Sequence, residues 1–301
     1  MISKPGFYDL TEAEYHADPV HAPSLSSSIA KVMVDETPLH ASLRHPRLTK
    51  QDEDTDATRA REIGTAAHKI ILGRGIKVQA IDAADYRSKD AKELRAALYA
   101  GGIQPILRDD LTKASNLAGS VNRALAKIDG CARFADPHAG KAEQVLIWQD
   151  IGGPMCRAMI DWLDVEETTV WDVKTTAAGL SDRSIANLIS GGYDLSAAFY
   201  IRGLSQLLPN TAGRWKFRWI FVEQDEPHEV RVIQADGATL ALGDKKAAFA
   251  IELWRRCMEA KSFPGYPRKI QRIDYPAYAE TRWLERELVE EEISSKAKVI
   301  L

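Results

Sequence analysis

The chain has 301 residues, 45% hydrophobic and 28% charged, with a net charge of −3. That composition suits one large domain with a real core and excludes bulk electrostatic attraction to nucleic acid, although a local basic groove remains compatible with its 40 lysines and arginines. No apolar run approaches the roughly 20 residues of a membrane span, the N-terminus lacks a secretory apolar segment, and three scattered cysteines (Cys131, Cys156, Cys257) make neither a disulfide framework nor a four-cysteine metal site. The expectation is a cytoplasmic protein with no membrane partner.

In chain order, SLSSSIAKVMV (24–34) opens with serines able to accept from the first N–H groups of a helix, and Pro38 stands where that helix would stop. Residues 49–58 are polar and acidic and read as a loop. RAREIGTAAHKIIL (59–72) repeats Ile63, Ala67, Ile70 and Ile71 at helical spacing, which predicts a packed helix. Residues 85–128 read as a charged helical insertion broken at Gly101-Gly102 and Pro105. EQVLIWQ (143–149), CRAMIDWLDV (156–165) and TVWDVKTT (169–176) are three strands, the last two joined as a hairpin across 166–168. Leu195, Ala198, Phe199, Leu204 and Leu208 form an apolar helical face over 194–208. WKFRWIFV (215–222) alternates, with Trp215, Phe217, Trp219 and Phe221 on one face and Lys216 and Arg218 on the other, and 228–234 would pair with it. A helix over 239–261 ends at FPGYP, and a charged helical tail runs over about 280–301. The whole is expected to be one domain over 1–301 in the α/β class, an α+β mixed sheet with helical elaboration.

The chemistry concentrates on the hairpin. Asp172 and Lys174 share a strand face, and Asp161 on the preceding strand falls opposite residues 172–173. Glu143, one strand further back, can join them. A D-x-K pair on a wet strand face is common and worth about 0–1 kcal/mol. Here Asp172 sits among Val and Trp residues, where an unpaired charge is costly, and two close carboxylates repel each other. A divalent cation relieves that repulsion, and carboxylate oxygens are the hard ligands Mg²⁺ prefers.

Acid, about ten residues, then acid-x-Lys across a hairpin resembles the PD-(D/E)xK nucleases, without the proline, since the first motif is Ile160-Asp161. The chain further resembles the RecE-like exonucleases (exodeoxyribonuclease VIII type) of phages and prophages. The shared pieces are the N-terminal Pro-Gly-x-Tyr with Tyr15-His16 and SLSSS, Gly64-Thr65-Ala66-Ala67-His68, AEQVLIW, CRAMIDWLDV with WDVKTT, YDLSAAFY, and FPGYP. The resemblance implies a restriction-endonuclease-like core with helical N-terminal and insertion elements. It implies Mg²⁺ or Mn²⁺ bound by His68, Asp161, Asp172 and the carbonyl of Val173. Lys174 would be the catalytic lysine and Glu143 a further acidic site residue, beside the catalytic Asp161 and Asp172. Tyr200 matches the motif tyrosine that contacts DNA. Ser196 replaces the motif glutamine and would make a shorter polar contact to DNA, and Arg157, on the same strand face, would contact DNA in place of Met159, which stands where a basic residue is expected.

By the same resemblance the substrate is the end of linear double-stranded DNA, digested 5′→3′ to leave 3′ single strands for a RecT-type annealing partner. The assembly would be a homo-oligomeric ring, with a tetramer one form of it. Two competing readings are a RecB-like nuclease of other polarity or single-strand preference, and a DNA-binding relative impaired by Ser196 and Met159. Each residue also has a plain structural role open to it: His68 on an apolar helix, Tyr200 in a core, Glu143 solvated at a strand end.

Overall fold

The computed structural model describes residues 1–49 and 59–298. The predicted loop over 49–58 lies, apart from Thr49, outside the described residues. The chain forms one compact unit over Met1–Gly265 and a second from Tyr266 onward. The first unit opens with β1 (Gly6–Tyr8), α1 (Glu12–His16), β2 (Leu25–Ser26), α2 (Ser27–Asp35) and α3 (Pro38–Arg44). Next come α4 (Arg59–Leu72), β3 (Val78–Ile81), α5 (Lys89–Ala100), β4 (Gln104–Leu107) and α6 (Arg108–Leu125). β5 (Lys141–Gln149), β6 (Met155–Asp164) and β7 (Thr169–Thr176) follow, then α7 (Asp182–Leu188), α8 (Asp194–Leu207), β8 (Lys216–Glu223), β9 (Val230–Gln234) and α9 (Gly237–Ala260). The second unit holds α10 (Ala277–Lys298), which starts slightly before the expected tail.

Local chemistry explains the helix starts. The Ser26 hydroxyl accepts from the Ile29 N–H at the head of α2, and Thr11 with Glu14 forms a reciprocal capping box on α1. α2 ends at Asp35, short of Pro38, as expected. Pro38 also begins α3 under the Thr37 cap, at the first helical position, where its missing N–H has no partner to lose.

The main sheet has seven strands in the order β1-β5-β6-β7-β8-β9, with β2 running parallel to β6. β5, β6 and β7 are antiparallel neighbours, β8 lies parallel to β7, and β9 closes antiparallel to β8. Both faces are covered. On one, Leu146, Trp148, Ala158, Phe217, Trp219 and Phe221 pack with residues of α2, α8 and α9. On the other, Trp162, Trp171, Val173, Ile220 and Val222 pack with Ala66, Ala67 and Ile71 of α4 and Leu117 and Val121 of α6. The predicted aromatic stripe of β8 is therefore core. Its opposite face is mostly buried too, and Arg218 lays its guanidinium 4.8 Å from the Trp171 ring centre.

Residues 85–128 are more than a helical insertion. Pro105 lies inside β4, which pairs in parallel with β3 as a separate two-stranded sheet, and α6 supplies one layer of the main core. Ile70, expected in the core, is 42% exposed; Ala66 and Leu72 take the buried positions. α5 is fastened to α4 through the fully buried Glu62, which accepts from Tyr86, Tyr99 and Arg95.

Arg157 is only 3% exposed. Its guanidinium donates to the Ser24 carbonyl at 2.5 Å and the Ser24 hydroxyl at 2.8 Å, and lies 3.3 Å from Asp18. Asp18 also accepts from the Ser24 N–H and hydroxyl and lies 3.4 Å from His45 Nε2. The Arg47 N–H donates to His45 Nδ1, which leaves the imidazole proton on Nε2, facing Asp18 and the Ser24 carbonyl. This network ties the N-terminal segment to β6. It also spends Arg157 inside the protein, so the expected DNA contact does not come from this side chain. Burial pushes the Asp18 carboxyl up, but His45, Arg157 and Ser24 outweigh it and hold it below its ordinary 3.8. A depressed acid stabilises the fold above its unfolded value and loses that contribution as pH falls through the folded one. Asp18→Ala should cost about 3–5 kcal/mol at neutral pH, because it strands the buried Arg157. The loss should shrink as pH is lowered below about 3.8, read from urea midpoints across a pH series; a pH-independent loss would exclude the electrostatic origin.

Candidate active site

The site forms where the sheet forks. β6 pairs with β7 only at Trp162–Trp171, Leu163–Val170 and Asp164–Thr169. Continuing that register would set Asp161 opposite Asp172, but the ladder stops there. Instead the Asp161 carboxylate accepts the Val173 N–H at 2.7 Å, a side chain standing in for a backbone acceptor. Further along β6 its free edge is taken by β2, at Cys156 and Arg157.

A second irregularity falls on the same residue. Ile160 packs into one core face and Trp162 into the other, although alternate strand residues ordinarily share a face. The reversal lies at Asp161. The residue facing it on β5, between the pairs Ala142–Trp162 and Gln144–Ile160, is Glu143, whose φ of 50° interrupts that ladder. Two acids thus occupy the point where both strands turn over. A non-glycine residue in this conformation is strained, and it persists only where its surroundings hold it. Glu143 is buried against Gly75, itself at φ 122°, where a Cβ would lie 2.8 Å from the Glu143 Oε1. Arg74 Nε stands 3.6 Å from the other Glu143 oxygen, and Lys69 donates to the Gly75 carbonyl.

The acids are paired with the chain's own cations. His68 Nε2 is 2.9 Å from Asp161, and Lys174 Nζ is 2.6 Å from Asp172 and donates to the Val173 carbonyl at 3.4 Å. Burial raises the Asp161 carboxyl, but His68, Lys174 and the Val173 N–H prevail and bring it down to about 2. Asp172 goes the other way, to about 6, because burial and the Asp161 charge exceed what Lys174 returns. Burial lowers the Lys174 ammonium, and the two aspartates more than reverse that, raising it. Burial likewise works against a charged His68, and Asp161 more than offsets it. Glu143 is raised mainly by burial.

These groups open onto a cleft of about 600 Å³. His68, Glu143, Asp161, Val173, Lys174 and Tyr200 all border it. Asp172 does not border it; its carboxylate is paired with Lys174, which does. Tyr200 shares a hydrogen bond with Ser27, and burial raises its pKa. Ser196 is not among the lining residues. Its hydroxyl donates to the Gly192 carbonyl one turn earlier at 3.3 Å, so the residue in the glutamine's place spends its polar group on its own backbone. Arg157 is absent from the lining for the reason given above.

Among the described residues, no three His, Cys, Asp or Glu side chains stand close enough together to hold a metal. The pairings explain this: Asp161 is drawn to His68, and Asp172 to Lys174. The donor set itself suits a hard divalent cation, with two carboxylates, an imidazole and the Val173 carbonyl at one fork. Sequence reasoning missed Gly75 at the cleft and Arg74 beside Glu143, signalled only by the Gly73-Arg74-Gly75 triplet, and the wall formed by Glu12, Tyr15 and His16 of α1, whose Tyr15-His16 pair stood out only through the resemblance.

A mixed, largely antiparallel sheet covered by helices, with acids and a lysine at its fork, defines a PDDEXK-like α/β fold. Residues 40–276 match the PDDEXK-like domain of unknown function (DUF3799), and the chain belongs to that family. No curated protein matches the sequence. Among solved structures, a "putative exonuclease" from Eubacterium rectale is 12% identical with a TM-score of 0.58, covering 91% of this chain and 98% of its own. A phage-related exonuclease from Haemophilus somnus 129PT is 10% identical with a TM-score of 0.32, covering 82% of this chain and 99% of its own. The first likeness shows the shared fold.

α4 delivers His68 by passing close to β7. A Cβ on Gly64 would lie 3.0 Å from the Thr175 hydroxyl oxygen, so the small residue sets the helix–strand distance. Gly64→Val should lower stability by about 1–3 kcal/mol through overpacking, measured by urea unfolding. Adding Thr175→Ala should recover most of the loss. No recovery would show that another contact sets the spacing.

Proposed function

We propose that this protein is a divalent-metal-dependent deoxyribonuclease that hydrolyses phosphodiester bonds from the ends of linear double-stranded DNA. The observation that carries the reading is Asp161 at the fork, held by His68 and the Val173 N–H beside the Lys174–Asp172 pair. Family membership supports a nuclease. The finer reading, 5′→3′ digestion feeding a RecT-type annealing protein from a ring of subunits, rests on the resemblance to RecE-like exonucleases.

Asp161, Asp172, His68 and the Val173 carbonyl are the groups that would hold Mg²⁺ or Mn²⁺, which supplies a water of lowered pKa and neutralises phosphate charge. Glu143, buried beside them, adds a carboxylate able to order an outer-shell water. Lys174 is positioned by Asp172 and the Val173 carbonyl, so its ammonium is aimed where charge develops on a phosphoryl oxygen. Tyr200, bordering the same cleft, presents its hydroxyl as a contact to the DNA backbone. The rigid flanks Val170, Trp171 and Val173 hold these groups in place, as a site built on a packed strand requires.

Asp172→Asn and Lys174→Met should each reduce the rate on end-labelled linear duplex by about 10²–10³-fold, with circular dichroism of both unchanged. Either variant digesting at the parental rate would remove the assignment. Chelation by EDTA should abolish digestion and Mg²⁺ should restore it. Closed circular duplex should resist, and faster digestion of single strands than of duplex would move the reading to a RecB-like nuclease.

A further inference from the structure

α2 begins at the cleft. Ser27 and Ser28 border it, and Lys31 stands one turn further on, on the same stripe of the helix. The stem of Lys31 is seated. It crosses the backbone of Gly192, between α7 and α8, and a Cβ at that glycine would collide with Lys31 Cδ and Cε. Gly192 also has a φ of 109°, so its conformation and the lysine above it both call for a residue without a side chain. Past the glycine, the Lys31 ammonium stands 5.3 Å from the centre of the Tyr193 ring. The Lys174 ammonium lies 5.7 Å from the centre of the same ring. Two cations thus share one aromatic ring. Their charges are balanced differently. Lys174 is 2.6 Å from Asp172, whereas among the described residues no carboxylate pairs with Lys31. Lys31 is half-buried, held beside a second cation and without an acid, an arrangement that favours an incoming anion.

We propose that Lys31 binds a phosphate of the DNA backbone other than the one served by Lys174, with the Tyr193 ring fixing the two ammonium groups relative to each other. The inference rests on the nuclease reading and deepens it: it assigns a backbone contact, read through charge and not base sequence. The seated stem supports it. A free lysine loses rotamer freedom when it grips a phosphate, and here much of that ordering is already present in the fold. Lys31 is a binding residue, separate from the acids at the fork.

The test measures binding of a short blunt-ended duplex by fluorescence anisotropy over a salt series in Ca²⁺, in the Asp172→Asn background, which keeps both lysines. Adding Lys31→Gln should weaken binding about tenfold at low salt, the worth of one charge-assisted contact. It should also make the slope of log K against log salt shallower by about 0.9. Lys31→Arg keeps the charge and should restore both. Unchanged affinity and slope in Lys31→Gln would overturn the proposal, and so would a Lys31→Arg variant as weak as Lys31→Gln, which would make the role one of packing. Digestion of the same duplex by the parent in Mg²⁺ separates the two readings. A parent that never cuts, with binding that still depends on Lys31, would sink the nuclease reading and leave the contact standing. A parent that cuts, with a slope indifferent to Lys31, would sink the contact alone.

Discussion

One bond organises the centre of this molecule: the Val173 N–H donated to the Asp161 carboxylate at 2.7 Å. A buried N–H at the end of an interrupted ladder must find an acceptor. Any neutral acceptor would serve the backbone, yet the chain supplies a charge. That choice needs a compensating cation, and α4 brings His68 to within 2.9 Å. The same need dictates how closely α4 approaches β7, and so the glycine where they meet. The hairpin, the helix and the cleft between them all follow from holding one carboxylate where two strands part.

The pair formed by Asp161 and Asp172 shows how environment divides identical groups. Asp172 is buried, Asp161 is half-buried, and both are near Lys174. Asp161 collects a histidine and a backbone donor and falls to about 2, while Asp172 has one cation and rises to about 6. Two like charges at close quarters are kept apart in this way, one firmly ionised and the other holding its lysine. A buried ion pair of this kind contributes little to stability, since desolvation consumes most of its attraction. Its retention inside a run of Val and Trp makes sense as stored chemistry: each cation holds a carboxylate in place.

Much of this was legible beforehand, and the reasons differ by element. The alternation of Trp215, Phe217, Trp219 and Phe221 and the Val-Trp-Val run around Asp172 read as strands because period two with β-branched and aromatic residues has few other meanings. The convergence of Asp161 and Asp172 followed from counting back across a short turn. What escaped the sequence depends on tertiary context. Pro38 starts a second helix where only the end of the first was expected. Gln104–Leu107 has a proline in a four-residue strand whose partner lies 26 residues earlier, beyond any local pattern. Arg157 has the right strand parity for a cleft contact, yet a fixed buried acid at Asp18 claims it first. Ser196 was flagged by its departure from a motif, but only the helix geometry shows its hydroxyl turned onto the Gly192 carbonyl.

The reversal of both strands at Glu143 and Asp161 bears on why the acids are there at all. A strand that turns over loses regular pairing for about one residue, and its side chains then point away from both packed faces. Apolar residues at such a point would be left without a core to join, whereas carboxylates can accept from the N–H groups that the broken ladder releases. Glu143 adds strain, at φ 50°, and is wedged against a glycine that itself adopts a conformation side chains avoid. Strain at Glu143, facing Asp161 with regular sheet on either side, is the expected signature of a position held for chemistry, because packing alone would have favoured an unbroken ladder and a smaller residue.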